Sequence, residues 1–313
     1  MHTSQDLTIC TVSFNSGYWL DLNYSLAKRL NPHSGFTWLV AENSPKDSSL
    51  RIDSSDERFN SITGAEFKQR PYASASYHHG EGLNILINKV HTRYLLVLDP
   101  DFFIVRKNWI NDIIEYINRH KIAILGTPWH PKRTSKIRYF PSAHCTFFDL
   151  EKVNKADLDF LPDYDNADTW LKGKKTNRSR TGSLLDKISF AKRRRIGTSR
   201  DTGWIIYDKL KNSSLKIESF QAVYHPKKRR LLDKLLPDRL SLIPKRKDYF
   251  RTSGSSTSHF DKMSDLGWEE FFWQSTLFGF HVRCYPKRSG EEIPIEDHYK
   301  KVKEVLVEVE ESR

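Results

Sequence analysis

The sequence lacks the features of membrane-spanning and of disulfide-bonded proteins. Its longest apolar runs, such as residues 94–98, are far shorter than the roughly 18 residues that a membrane-spanning helix needs. Cysteines are scarce, and Cys10, Cys145 and Cys284 form no C-x-x-C pair, which argues against a disulfide framework or a structural zinc site. The first residues show no signal-peptide pattern. We therefore expect a cytoplasmic protein whose cysteines serve packing.

Acidic residues are scarce in two stretches, and these stretches determine the net charge of +12. Residues 172–200 hold 11 lysines and arginines against one acid, and residues 227–251 hold 10 against three. The rest of the chain is therefore mildly acidic. Such basic stretches attract a polyanion, which can be nucleic acid, an anionic membrane or a phosphorylated substrate. The leucines beside the second run predict an amphipathic element suited to peripheral contact with the inner face of a membrane (Leu231, Leu232, Leu235 and Leu236).

Strand-like and helix-like segments alternate in the N-terminal half. The hydrophobic pattern predicts strands at 7–14, 36–41, 61–67, 94–98 and 122–125, and helices at 19–30, 80–90 and 109–117. This alternation is typical of an α/β fold, Rossmann-like, with a mostly parallel central sheet flanked by helices. Ligands of such folds bind at the carboxyl ends of the strands.

The pattern is less regular beyond residue 150. It predicts a helix from Asp201 to Leu210, a strand at 217–224 and buried structure in the aromatic segment 271–284. The acidic tail 303–311 is predicted to be a solvated helix or an edge strand.

The motif Asp99-Pro100-Asp101 directly follows the most apolar predicted strand. Two carboxylates at the ligand-binding edge of a sheet offer the hard oxygen ligands that Mg²⁺ or Mn²⁺ prefers. A pair of aspartates around a turn-forming proline is also common in loops without any metal. The apolar segments on both sides favour metal binding here, since polar groups between buried segments are costly unless they are used.

Three further motifs make the N-terminal half resemble glycosyltransferases of the GT-A fold, most of all the family-2 type. They are Val12-Ser13-Phe14-Asn15-Ser16 after the first strand, Val40-Ala41-Glu42-Asn43-Ser44 after the second, and Gly80-Glu81-Gly82-Leu83-Asn84 before a helix. Their order and spacing match the family across about residues 7–150. The resemblance implies a nucleotide-sugar donor, a UDP- or GDP-sugar, whose diphosphate lies on a bound Mn²⁺ or Mg²⁺.

The same resemblance implies three regions of the chain. Residues 1–150 would be the nucleotide-sugar-binding half of a GT-A domain. Residues 151–290 would form the acceptor and catalytic half, with the basic insertions 172–200 and 227–251. Residues 291–313 would be an acidic C-terminal tail.

Roles for individual residues also follow from the resemblance. Asp99 and Asp101 would hold the metal, and a C-terminal histidine is commonly the third ligand in this family. We favour His281 over His225 and His259, because Arg283 lies two residues further along the same strand face, where both side chains could meet a diphosphate. The nucleotide would be positioned by Ser13, Asn15, Glu42 and Asn84. The family more often has aspartate at the position of Glu42, which leaves the base undecided.

Asp201 is the candidate general base. An inverting sugar transfer needs a carboxylate to take the proton of the attacking hydroxyl, and in this fold that residue usually begins a helix about a hundred residues after the metal motif. An aspartate there could instead be only a helix N-cap. Competing carboxylates lie in the preceding loop (Asp163, Asp165 and Asp168). The His78-His79 pair, expected in a loop, is predicted to be structural or to face the substrate.

The sequence therefore predicts a metal-dependent glycosyltransferase, of inverting mechanism, that acts on a glycan, lipid-linked or other hydroxyl acceptor. Two alternatives stay open. A nucleic-acid-binding protein or a metal-dependent nuclease would explain the basic stretches and their interleaved aromatic residues. A sugar nucleotidyltransferase would have a similar fold, although the first strand is not followed by the Gly-rich phosphate loop usual in such enzymes.

Overall fold

The computed structural model of the protein describes residues 6–70, 74–129, 139–164, 200–224, 246–252, 268–282 and 294–311. Most of the two basic insertions falls outside these ranges. The same is true of several candidate residues, whose predicted roles stay predictions (Asp165, Asp168, His225, His259 and Arg283). Within the described residues, no helix is both long enough and apolar enough to cross a bilayer.

The larger of two sheets in the described chain has seven strands in the order β3-β2-β1-β4-β7-β6-β8. Four of its strand pairs are parallel, and only β7 runs antiparallel to both of its neighbours. The predicted α/β fold with a mostly parallel central sheet is confirmed. The strands are β1 Leu7–Ser13, β2 Thr37–Glu42, β3 Asn60–Thr63, β4 Tyr94–Leu98, β6 Ile124–Pro128, β7 Pro141–Asp149 and β8 Ile217–Ser219.

The second sheet has five strands among the described residues, in the order β10-β9-β11-β12-β5. Its edge strand β5 comes from the N-terminal half, directly after the Asp99-Pro100-Asp101 motif. The polypeptide therefore passes from the large sheet into the small one at this motif. The strands are β5 Phe102–Ile104, β9 Gln221–Tyr224, β10 Phe250–Thr252, β11 Glu269–Trp273 and β12 Thr276–His281.

Helices cover both faces of the large sheet, because alternate strand residues point to opposite faces. On one face, Ile9 and Leu96 pack with residues of α1, α3, α5 and the second sheet. On the other, Cys10 and Val97 pack with residues of α2 and α4. The helices are α1 Gly17–Leu30, α2 Ser74–Ile87, α3 Trp109–His120, α4 Trp204–Leu210 and α5 Ile295–Glu311. Cys10 and Cys145 are buried free thiols, as expected of packing residues.

Helix α2 begins earlier than predicted. It starts at Ser74 and so includes His78 and His79, which were expected in a loop. It also includes the Gly80–Asn84 motif, which was expected before a helix. Tertiary packing explains its two glycines: a Cβ on Gly80 would lie 2.7 Å from the carbonyl oxygen of Phe160, and one on Gly82 would lie 2.8 Å from Val12 Cγ2. The close contacts override the low helix propensity of glycine.

Two further predictions were wrong in part. The predicted strand 217–224 is two strands, β8 and β9, which belong to different sheets, because the chain leaves the large sheet at Phe220, which is fully buried between them. The acidic tail is a helix but is not fully solvated. Its valines and leucine at helical spacing form a buried stripe on the main core (Val302, Val305, Leu306 and Val309).

Candidate active site

Asp99 stands at the carboxyl end of β4, a strand of five buried apolar residues. Its backbone N–H donates a 2.8 Å hydrogen bond to the carbonyl oxygen of His144, which extends the antiparallel pairing of β4 with β7 by one residue. The side chain of Asp99 is 14% exposed. A carboxylate is thus held at the edge of the sheet in a mostly dry environment.

The pairing of β4 with β7 brings a histidine to Asp99. His144 is buried on β7, and its Nδ1 lies 3.0 Å from Asp99 Oδ2. The indole ring of Trp129 packs edge-on against the His144 ring, with 4.4 Å between ring centroids. The imidazole therefore has a fixed orientation toward the carboxylate.

The small sheet contributes His281. It pairs with Phe102 across β12 and β5, so it lies beside the aspartate motif that precedes β5. Its Nε2 is 3.1 Å from Asp101 Oδ1 and 3.8 Å from Asp99 Oδ2, while Nδ1 is 3.4 Å from Glu269 Oε2. A carboxylate on the far nitrogen is the arrangement that commonly orients metal-binding histidines.

A third histidine reaches the same aspartate from helix α2. His79 Nε2 lies 3.4 Å from Asp99 Oδ1, which is buried and has no hydrogen-bond partner among the described residues. The neighbouring His78 is structural, as its Nε2 lies 2.8 Å from the carbonyl oxygen of Ala65. The two members of the histidine pair therefore have different surroundings.

These histidines alter the ionisation of Asp99. Burial, the largest single influence, raises the pKa of Asp99. The hydrogen bond with His144 and the positive charges of His79, His144 and His281 lower it by more, so the pKa lies well below its usual range. Asp99 is therefore an anion throughout the neutral range.

The donor set fits a divalent cation. Asp99, His144 and His281 offer ligand atoms that all lie within 4.8 Å of one another. Ligands about 2.1 Å from one ion are at most about 4.2 Å apart, so a small inward movement would suffice. The buried oxygen of Asp99 that lacks a hydrogen bond is a further position for a cation, since such orphaned atoms in folded proteins often indicate an absent ion or water.

A cavity of about 310 Å³ opens beside this cluster. Its volume lies at the lower end of the range of small-molecule sites. Asp99, Asp101 and His79 line one part of it. Apolar and aromatic side chains and three polar residues line the rest (Val12, Phe14, Ser16, Trp19, Asn43, Phe67, Ala75, His78 and Pro100).

Of the predicted nucleotide-positioning residues near β1 and β2, Glu42 and Asn15 form hydrogen bonds to the backbone or side chains of the loops that follow these strands. Both carboxylate oxygens of Glu42 accept backbone N–H groups, from Ser44 at 2.8 Å and Ile52 at 2.9 Å. The backbone N–H of Asn15 donates to Ser44 Oγ at 2.7 Å, and Asn15 has a left-handed φ of 54°. Ser13 is buried, and its hydroxyl has no hydrogen-bond partner within the described part of the chain.

Asn84 and Asp201, like Ser13, Asn15 and Glu42, are not among the residues that line the cavity. Asn84 uses both ends of its amide on the segment that follows a short 3₁₀ helix, Lys155–Asp157. It donates to Asp159 Oδ1 at 2.8 Å and accepts from the Phe160 backbone N–H at 2.9 Å. Asp201 is buried two residues before Gly203, the N-cap of α4, so it is not itself the cap. It adjoins α2, because the hydroxyl of Thr202 donates to the carbonyl oxygen of Ser76.

Neither His144 nor Glu269 is predicted to belong to the site from the sequence, and the role of His79 stays open there. His144 stands in a run of buried small and aromatic residues that predicts a strand, but only its pairing with β4 reveals the proximity to Asp99. Glu269 was detectable as a charged residue beside the apolar segment 271–284. The proximity of Glu269 to His281 becomes apparent only from the pairing of β11 with β12, in which the two residues lie opposite each other.

No known protein family matches the chain, and no curated protein matches it in sequence. Among solved structures it is similar to the galactosyltransferase LgtC with donor and acceptor sugar analogs, at 10% identity and a TM-score of 0.36 over 80% of this chain and 88% of that one. It is also similar to the mannosyltransferase PcManGT from Pyrobaculum calidifontis with GDP-Man and Mn²⁺, at 8% identity and a TM-score of 0.33 over 48% of this chain and 46% of that one.

TarS of S. aureus is a third such structure, at 14% identity and a TM-score of 0.35 over 50% of each chain. The chain thus spans about half the length of the PcManGT and TarS structures it matches. Glycosyltransferases, the class that the sequence motifs resemble, appear among the structurally similar proteins. Identities of 8% to 14% and TM-scores of 0.33 to 0.36 are too low to assign an activity to this chain.

Proposed function

We propose that this chain is a metal-dependent glycosyltransferase of the GT-A type that transfers a sugar from a nucleotide-sugar donor to a hydroxyl group. One observation carries the proposal: a cluster of one aspartate and two histidines, Asp99, His144 and His281, lies beside a cavity at the carboxyl end of β4. Ligands of open α/β sheets bind at this edge, and the cavity extends from charged groups to aromatic ones.

Asp99, His144 and His281 would hold the cation, with Asp101 beside them. Mn²⁺ or Mg²⁺ would neutralise the charge of the diphosphate as it leaves the sugar. Glu269 Oε2 lies 3.4 Å from Nδ1 of His281, and Trp129 packs edge-on against the ring of His144. Ser13 and Glu42, the last residues of β1 and β2, and Asn15 in the loop after β1 would lie at the nucleoside end. Fixed side chains of this kind reduce the reorganisation needed when a ligand binds.

Asp201 would take the proton of the acceptor hydroxyl while that oxygen attacks the anomeric carbon and the bond to the diphosphate breaks. This single displacement inverts the configuration at that carbon. Asp201 is buried beside α2, the helix that also carries His79, and this position supports the role of a general base. The acceptor would be a glycan or a lipid-linked hydroxyl.

The proposal is tested by the release of nucleoside diphosphate from UDP- and GDP-sugars in the presence of Mn²⁺, with simple sugars as acceptors. We expect one of these donors to be consumed. Asp201→Asn should lower the turnover at least about 100-fold, the usual contribution of a general base, and leave donor binding intact. Asp208→Asn, which changes an exposed aspartate of α4, is the matched control.

Consumption of no donor would contradict the proposed activity. Full turnover by folded Asp201→Asn would contradict the assignment of the base. Equal losses in Asp201→Asn and Asp208→Asn would indicate a general perturbation of the α4 region.

A further inference from the structure

His298 is a buried histidine of α5 that lies outside the candidate active site. It is 0% exposed, although it belongs to a helix on the surface. Its Nδ1 accepts a 3.2 Å hydrogen bond from the indole N–H of Trp268, and its Nε2 has no hydrogen-bond partner among the described residues. Because an indole N–H can only donate, Nδ1 must offer a lone pair. The ring is therefore neutral and carries its one proton on Nε2.

A second proton on His298 would disrupt this contact. An imidazolium donates from both nitrogens, so its Nδ1–H would point at the N–H of Trp268 and the hydrogen bond would be lost. The added charge would be buried without a carboxylate to pair with, since His298 forms no ion pair with any described residue. Both effects favour the neutral ring while the helix is docked.

The charged and titratable groups around His298 do not compensate for its burial. Burial, the largest influence, lowers the pKa of His298; on α5, Asp297 raises this pKa and Lys301 lowers it, and it lies below its ordinary value. The neighbouring elements add the buried carboxylate of Glu270 from β11 and the phenol of Tyr18 from α1. Neither of these two groups makes a contact with His298.

A series of aromatic rings connects this contact with the wall of the cavity. Trp268 stacks on Phe280 at 5.6 Å between centroids, and Phe280 stacks on Phe103 at 5.5 Å. Phe103 meets Trp19 edge-on at 5.8 Å, and Trp19 meets Tyr299 of α5, also at 5.8 Å. Since Trp19 lines the cavity, one end of this packed series belongs to the cavity wall.

We propose that the docking of α5 is sensitive to acid and that His298 is its sensor: a proton on His298 releases the helix from the main core. At neutral pH the hydrogen bond with Trp268 and the buried apolar stripe of α5 hold the helix in place. Release would take Tyr299 away from Trp19, so that acidity would alter the cavity wall. It needs neither nucleotide nor metal, and failure of the proposed function would therefore leave this proposal standing.

Hydrogen exchange of backbone amides at pH 7 and pH 5.5 tests the proposal, with rates expressed as protection factors so that the direct effect of pH on exchange is removed. Once α5 is released, His298 regains an ordinary pKa of about 6.5 and takes up a proton, so the released fraction grows as the pH falls below that value. Protection of Val302 and Val305 should fall roughly five- to tenfold between pH 7 and pH 5.5. Leu96 of β4, which reports on the large sheet, should lose less.

Two variants remove the proton site. His298→Asn places an amide oxygen near the position of Nδ1, where it can still accept from Trp268, and His298→Gln offers a longer amide. Both should abolish the extra loss of protection in α5 at pH 5.5. His91→Asn, which changes an exposed histidine, is the matched control and should retain that loss.

Three results would overturn the proposal. The first is equal protection of α5 at the two pH values in the unmodified protein, and the second is an equal fall in α5 and β4, which would show acid unfolding of the whole molecule. The third is an undiminished fall in α5 in both folded variants. The first two need no variant, so the proposal can be refuted even if neither substitution is tolerated.

Discussion

Asp149 and Asp99, two carboxylates that are largely withdrawn from solvent, have different kinds of partner. Asp149 is fully buried and accepts two hydrogen bonds from the guanidinium of Arg93, at 3.0 Å each, and one from the ammonium of Lys152. Asp99 has histidines instead, whose neutral imidazoles are common metal ligands. A permanently charged partner suits a structural ion pair, whereas a carboxylate among histidines suits a site that binds a cation.

The contrast gives a prediction for Asp149. Burial raises its pKa, but the hydrogen bonds from Arg93 and Lys152 lower it by more, so it lies below the usual value. The ion pair therefore stabilises the fold above about pH 3.9, the value in the unfolded chain, and that contribution is lost as the pH falls through the lowered pKa. Asp149→Asn should lower the free energy of unfolding by about 2 to 3 kcal/mol at pH 7.

Urea unfolding at pH 7, 5 and 3.5 checks this prediction. The difference between Asp149→Asn and the unmodified protein should be the same at pH 7 and 5 and should shrink at pH 3.5. Glu151→Gln changes an exposed partner of Arg93 and should cost less than about 1 kcal/mol. A difference that stays constant down to pH 3.5 would contradict the account.

Asp99 and Asp101 are candidates because they follow the most apolar predicted strand, and the resemblance to GT-A glycosyltransferases favours His281. Of these three residues, Asp99 and His281 belong to the cluster and Asp101 lies beside it. The structure brings His281 Nε2 to 3.1 Å from Asp101. His144 was missed because no local pattern specifies which strand pairs with β4. Their role in binding a metal stays a proposal.

At the scale of elements, antiparallel pairing builds the candidate site. β7 lies against β4, and β12 lies against β5, so each aspartate of the motif receives a histidine from a neighbouring strand. The regular βαβ part was predictable because its hydrophobic periodicity is strong. The strands that deliver His144 and His281 come from distant parts of the chain, where pairing depends on long-range packing.

Helix α5 shows whether the spacing of apolar residues alone predicts which side of a helix packs on the core. Leu306 is 4% exposed and belongs to the main core, whereas its neighbour Val307 is 54% exposed. Leu306→Ala should lower the free energy of unfolding by about 2 to 5 kcal/mol, and Val307→Ala should change it by less than about 0.5 kcal/mol. Denaturant titration measures both. Equal effects would show that the helix does not dock as described.

At the scale of the whole molecule, the site lies where the chain passes from one sheet to the other. Asp99 directly follows β4 of the large sheet, and Phe102 begins β5 of the small one. α2 adds His79 from a third direction. A cation there would join groups from both sheets, so its binding is expected to stabilise the entire fold.

We propose that this junction binds a nucleoside diphosphate together with a metal ion. The most direct measurement is the change in the free energy of unfolding with UDP or GDP, each with and without Mn²⁺. A nucleotide at 100 times its dissociation constant should add about 2.7 kcal/mol. We predict this gain only when Mn²⁺ is present, its loss in Asp99→Asn, and its retention in His91→Ala, which changes an exposed histidine. An equal gain without Mn²⁺ or in folded Asp99→Asn, or no gain with either nucleotide, would contradict the claim.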